Sequence, residues 1–194
     1  MIYPASYEIT ILQNATWRGV FRATQNRQAI TSITIATGTP TFAVPCHKLT
    51  AGNKVVITGG TTIPCGLDLN VIYYVISTGL TADQFQISAT DGGSSISVSG
   101  AAVGNFFVAS PLDLTTYTVD ADITGLTVST QIATFTPSIT DATNGAFTLT
   151  LSPAVTIAIE EGRYAYDVSL TAGSGDRYYW LTGVATVQRT FSRN

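Results

Sequence analysis

Two strand patterns open this chain and stop before they could close a sheet. Tyr7, Ile9 and Ile11 alternate with polar residues, and after a turn at Asn14-Ala15-Thr16 the signal returns at Trp17 and Val20 or Phe21. This period of two marks strands with one buried face, and two strands alone cannot cover that face. The pattern resumes only at Asp113 and then runs on to Val187. Between them, residues 44–108 carry their own short strands and turns, so the chain reads as one β domain spliced into another. The expected division is a discontinuous domain of residues 1–36 plus 110–194, and an inserted domain of residues 37–109.

Inside the insert, a turn at Gly52-Asn53 leads into Val55-Val56-Ile57, which Gly59-Gly60 ends. A loop at Ile63-Pro64 precedes the apolar run Val71 to Ile76, whose length and β-branched content fit a central strand. Phe85 to Ile87, Ile96 to Val98 and Asn105 to Val108 follow, with Asp91-Gly92-Gly93 as a hairpin loop. A strand at residues 29–36 is assigned to the outer domain and is broken by Thr37-Gly38-Thr39-Pro40. In the second half, alternation recurs over residues 117–123, 132–135, 146–151, 164–170 and 178–187. Asp141 to Gly145 is the clearest turn. Ser152 before Pro153, with Gly162 as a stop, predicts one or two helical turns over residues 154–161. Strands at this spacing predict an all-β protein of the sandwich or small-barrel type.

Only 11% of the residues are charged and the net charge is −3. Roughly one residue in six is Thr, a hydroxyl-bearing β-branched residue suited to the solvent face of a strand. The field of such a chain repels a phosphate backbone, so nucleic acid is not an expected partner. No run approaches the roughly 18 apolar residues that span a bilayer, and Met1-Ile2-Tyr3-Pro4 lacks the basic and apolar regions of a signal peptide. Neither membrane insertion nor export by such a peptide is expected.

Chemistry-bearing residues are sparse. Cys46 and Cys65 lie inside the insert, where spacing alone leaves open both a disulfide and two thiols. His47 is the single histidine. With those cysteines it supplies three potential zinc ligands and no fourth of comparable quality, so a solvated loop histidine is expected and no metal or cofactor. Asp120 and Asp122 share one sheet face and could form a carboxylate pair, but a solvated strand face is the better account of them. No nucleophile motif or phosphate loop is present, and no catalytic residue is assigned. Aromatic residues offer the best binding candidates: Tyr73, Tyr74, Tyr178 and Trp180 as interface or sugar-stacking positions, with one ring of each adjacent pair turned inward. Glu160-x-Gly162-x-Tyr164-x-Tyr166 imitates a tyrosine corner, in which Tyr164 bonds back to upstream backbone and Tyr166 takes a core position.

The segments around Pro111 to Val119, Gly145 to Ala154 and Glu161 to Val168, with the opening strands, resemble an immunoglobulin-like module of tailed-bacteriophage virion proteins. The insert resembles a second phage-associated module: His47, then Gly52 to Val56, Ile63 to Leu67, Ile72 to Val75 and Phe85 to Ile87 keep its order. Cys46 and Cys65 depart from that pattern. The resemblance implies an immunoglobulin-like β-sandwich, discontinuous, with an inserted small β-barrel or sandwich. It also implies a non-enzymatic part of the tail, baseplate or fibre-attachment apparatus, made in the host cytoplasm and carried in the virion. Its expected partners are other virion structural proteins, including copies of itself. Capsid decoration or head-to-tail joining, and a carbohydrate-binding adhesin, are the alternatives.

Overall fold

The computed structural model describes residues 5–128 and 130–190; the segment Met1–Pro4, read above for a leader, lies outside them. The chain divides into two compact units, one formed by residues 1–23 and 113–194, the other by residues 24–112. In chain order the strands are β1 (Ala5–Ser6), β2 (Ile9–Leu12) and β3 (Trp17–Arg22) in the outer unit. The inserted unit holds β4 (Thr24–Ile30), β5 (Ser32–Ala36), β6 (Thr39–Ala43), β7 (Lys54–Gly59), β8 (Ile72–Ile76), β9 (Gln84–Ser88) and β10 (Phe106–Pro111). The outer unit resumes with β11 (Thr118–Thr124), β12 (Gln131–Thr134), β13 (Thr136–Asp141), β14 (Ala146–Leu151), β15 (Gly162–Thr171) and β16 (Arg177–Gln188).

The outer unit is a sandwich. One sheet has the order β1-β16-β15-β11-β12, with β2 also on β16, and the other has the order β13-β14-β3. The first strand segments run parallel to β16, and all other pairs are antiparallel. With β3 as strand B, β11 as C, β14 as E, β15 as F and β16 as G, this is the pairing of an immunoglobulin-type sandwich. The insert occupies the B–C connection. Ile11, Ile123, Phe147, Leu149, Val168 and Leu170 are fully buried between the sheets. The chain crosses from β12 to β13 through a single residue, Phe135, which is buried and donates its backbone N–H to Ala121 O.

Local chemistry fixes both ends of this sandwich. At one end a single helical turn, α1 (Pro153–Thr156), starts at Ser152, whose hydroxyl accepts from the Val155 N–H. It is shorter than the residues 154–161 expected, because Thr156 turns inward and its hydroxyl bonds Ala15 O at 2.9 Å instead of continuing a helix face. At the other end, the turn Ala142–Asn144 closes on left-handed Gly145. Ala23 donates to Gly145 O and Leu114 donates to Ala142 O, so both junctions with the insert are tied to this one turn.

The inserted unit is one seven-stranded sheet in the order β4-β10-β7-β8-β9-β6-β5. Its two outermost strands, β4 and β5, are separated by Thr31 alone. Six spacings of about 4.8 Å would hold flat edges about 29 Å apart, whereas two residue steps span about 7 Å. The sheet therefore curls round into a barrel-like form. The Thr31 N–H and hydroxyl both bond to Ala43 O at the closing seam. Inside lie Phe42 stacked on Phe85 at 5.4 Å, with Val55, Ile57, Val75, Ile87 and Val108. Thr24 pairs with Pro111, so the entering and leaving strands run side by side.

Three strand assignments change. Residues 24–36 belong to the insert, and the boundaries move to 23/24 and 112/113. The reason is that β4 pairs with β10, and β5 with β6, both inside the insert. Thr37-Gly38 is a two-residue hairpin turn and not a break: both residues have positive φ, of 48° and 83°, and Ala36 pairs with Thr39. Pro40 is tolerated in β6 because β9 contacts that strand only at Phe42 and Ala43. Residues 96–98 form no strand; Ile96 and Val98 donate singly to Ile87 O and Gly38 O.

Candidate functional site

The aromatic candidates fall into two groups. Tyr73 faces the barrel core, and its hydroxyl accepts from the Asp68 N–H at 2.9 Å. Burial pushes its phenol above the ordinary value. Trp180 points between the two sheets of the sandwich, with its ring 5.5 Å from Phe147 and 6.3 Å from Phe21. Tyr73 is thus a core residue, and Trp180 is half-buried with its ring turned inward. Tyr74 is half-buried on the opposite face of β8 from Tyr73. Tyr178 and Tyr179 are both exposed, at 39% and 51%. Strict alternation does not allow that; a bulge does. Val168 pairs with Leu181 and Ser169 with Tyr179, so Trp180 is the extra residue and can turn inward. Arg177 beside them bonds Ser169 Oγ and lies over the Tyr179 ring.

Tyr164 donates its hydroxyl to Glu160 O at 3.0 Å, four residues upstream. Tyr166 is buried, and its hydroxyl donates to Tyr7 O at 2.6 Å, joining β15 to the first strand segments. Burial, with a smaller contribution from Tyr7, pushes the Tyr166 phenol up to about 12. Gly183 makes this approach possible, since a Cβ there would overlap the Tyr7 carbonyl oxygen.

The carboxylate facing Asp122 across the strands is Asp167, not Asp120, which pairs with Ser169. Asp122 accepts from Gln131 and Thr134, both at 2.8 Å. Asp167 is held above the ordinary carboxylate value by burial first and by Asp122 second, with Arg177 opposing. Among the described residues no three His, Cys, Asp or Glu side chains converge as metal ligands.

His47 is not a solvated loop residue. It is 5% exposed, with its ring edge-on to Phe85 at 5.3 Å. The Leu49 N–H donates to Nδ1 at 2.9 Å, so Nδ1 is an acceptor and the proton sits on Nε2, which reaches Gln84 O at 3.3 Å. Cys46 and Cys65 are both exposed free thiols.

Around His47 the backbone is unusual: Cys46 and Lys48 both adopt left-handed conformations, with φ of 52° and 57°. Hydrogen bonds from Cys46 N–H to the Asp83 carboxylate and from His47 N–H to Ala82 O hold the segment in place. It forms one wall of a cavity of about 430 Å³. The other wall is the β4–β10 ribbon at its bulge, where the register slips between Val108 and Ser110 and Asn26 takes φ of 53°. Arg27 and Lys48 supply positive charge, and Asn26, Gln28 and Asn53 supply carboxamides. Nothing in the sequence signals this cavity, because its residues come from three separated and mostly polar segments.

No protein-family model matches the chain, and no curated protein matches it.

Proposed function

We propose that this protein is a non-enzymatic structural component of a tailed-phage virion, in the tail, baseplate or fibre-attachment apparatus. The observation that carries the reading is an uncovered edge on the outer sandwich. Strands β12 and β13 are consecutive, lie at the margins of the two sheets, and are exposed at most positions. Leu126 and Val128 in the β11–β12 turn, with Ile132 and Ile139 on the strands, are large apolar residues left in water, from 37% to 64% exposed. A free edge with apolar side chains is a template for pairing with a neighbouring subunit. The wider surface supports the same reading, because Thr side chains lose little entropy on packing where Lys side chains would lose much.

The resemblance of both units to phage modules supports a virion location. Immunogold labelling of purified particles, with antibody raised against the recombinant chain, tests it. The expected result is label at one fixed place on intact particles. Protein found only in the soluble fraction of lysates, with bare particles, would overturn the proposal. Label on the head would favour capsid decoration, and label at the neck would favour head-to-tail joining. For the adhesin alternative, Tyr73 is a buried core residue, while Tyr74 and Trp180 are half-buried.

A further inference from the structure

The cavity beside His47 has a charge opposite to that of the chain. The protein carries 12 acidic and 9 basic side chains. The residues lining this cavity nevertheless include Arg27 and Lys48 and no Asp or Glu. Both cations are exposed, and both are held. The Arg27 guanidinium lies flat on the Phe107 ring, 3.5 Å from its centre, which fixes its plane and leaves its N–H edge available. The Lys48 backbone is fixed by its left-handed conformation and by the Leu49 N–H bond to His47 Nδ1 that spans it. Such strain in non-glycine residues persists where surrounding contacts over-determine it, and it concentrates at binding sites.

The remaining polar lining narrows the ligand. A bare anion uses donors only. Asn26, Gln28 and Asn53, with Ser110, add carboxamides and a hydroxyl, which offer donors and acceptors together. Asn53 Oδ1 already accepts from the Thr50 N–H, so a ligand would meet Asn53 chiefly through its amide N–H groups. A ligand that matches such a set bears hydroxyls as well as a negative charge. The volume, about 430 Å³, lies within the range of small-molecule sites, about 300–1,000 Å³, and exceeds what a phosphate or carboxylate alone would fill.

We infer that the inserted unit binds an anionic saccharide, a sugar bearing a carboxylate or a phosphate, in the cavity between the β4–β10 bulge and the His47 segment. Arg27 and Lys48 hold the charge and the carboxamides read the hydroxyls. The inference concerns the insert alone and stands or falls separately from the virion reading.

The test is titration of the full chain, followed by NMR or calorimetry, with glucuronate, N-acetylneuraminate, glucose 6-phosphate, glucose, acetate and inorganic phosphate. One or more acidic sugars should bind, glucose should bind at least tenfold more weakly, and acetate and phosphate likewise. A carboxylate sugar and the sugar phosphate in separate arms identify which anion is preferred. Arg27→Gln and Lys48→Gln should each weaken binding at least tenfold, while Arg163→Gln in the outer unit leaves it unchanged. If Arg27→Gln disturbs the fold by losing its Phe107 contact, Lys48→Gln carries the comparison. Equal binding of glucose would overturn the role of charge. Equal binding of phosphate or acetate would overturn the saccharide assignment. No binding at 10 mM of any probe, or full binding by both variants, would overturn the site.

Discussion

Removing one oxygen from Tyr166 should cost about twice as much as removing one from Tyr164, two residues away on the same strand. Both hydroxyls donate to backbone carbonyls, Tyr166 to Tyr7 O and Tyr164 to Glu160 O. The difference lies in what is left behind. Glu160 is exposed and its carbonyl can turn to water, so Tyr164→Phe loses only the net value of a hydrogen bond, about 1 kcal/mol. Tyr166 is buried and its bond to Tyr7 O is part-buried, so the freed Tyr7 carbonyl is replaced by water less readily. An unsatisfied acceptor adds about 1 kcal/mol, giving about 2 kcal/mol in total. The phenylalanine ring keeps its packing against Phe135, so no cavity contributes. The bonded carbonyls belong to different segments, and the two effects should add. The assay is urea unfolding followed by tryptophan fluorescence. Both tryptophans, Trp17 and Trp180, lie in the outer unit, so the signal reports that unit alone. With a slope of about 1.2 kcal/mol/M, Tyr164→Phe should lower the midpoint by about 0.8 M and Tyr166→Phe by about 1.7 M. The wild-type chain should also lose stability as pH rises from about 10 towards 12, because the folded phenol ionises later than the unfolded one. That alkaline loss should shrink in Tyr166→Phe. A Tyr166→Phe midpoint equal to or above that of Tyr164→Phe would refute the reasoning.

Other outcomes follow from the same contacts. Gly183→Ala forces a methyl onto the Tyr7 carbonyl and should cost about 1–3 kcal/mol in the same fluorescence assay; an unchanged midpoint would show that β1 and β2 do not hold this register. Asp167→Asn should raise the midpoint at pH 7, because the folded carboxylate ionises less readily than the unfolded one, and the native state carries the disfavoured charge at neutral pH. The gain should fade as pH drops through the raised value and vanish below the ordinary 3.8, where both states are protonated; a pH-independent gain would argue against this. Cys46 and Cys65 should both react with a thiol reagent in the native protein, and a sluggish reaction that needs denaturant would contradict their exposure.

What the sequence made legible is what depends on alternation. Strands with one apolar face, such as β11, β14 and β15, stand where period-two patterns put them, and Ser152-Pro153 marks its helical turn. The strands missed lack that signal. Strand β4 reads Thr24-Gln25-Asn26-Arg27-Gln28, polar on both faces, and owes its existence to pairing with β10. Strand β13 contains Pro137 and is mostly solvent-facing, so its apolar content is too thin to announce an edge strand. The aromatic candidates were legible only as a set. Their direction depends on register, and a one-residue bulge at Trp180 reverses the order that strict alternation gives. His47 was misread because its burial is made by Phe85 and Gln84, distant in sequence. The cavity was illegible for the same reason, since only the folded barrel brings Arg27, Lys48 and Asn53 together.

The central claim is that a complete β unit, a curled seven-stranded sheet, is carried in one connection of an otherwise intact sandwich. Its most direct test is a chain in which a short Gly-Ser linker joins Ala23 to Asp113, the two junctions tied to the same turn. The account expects a cooperative urea transition by tryptophan fluorescence, with dispersed amide resonances in NMR, from the residues that remain. An unfolded or molten product, recovered only when residues 24–112 are restored in place, would contradict it.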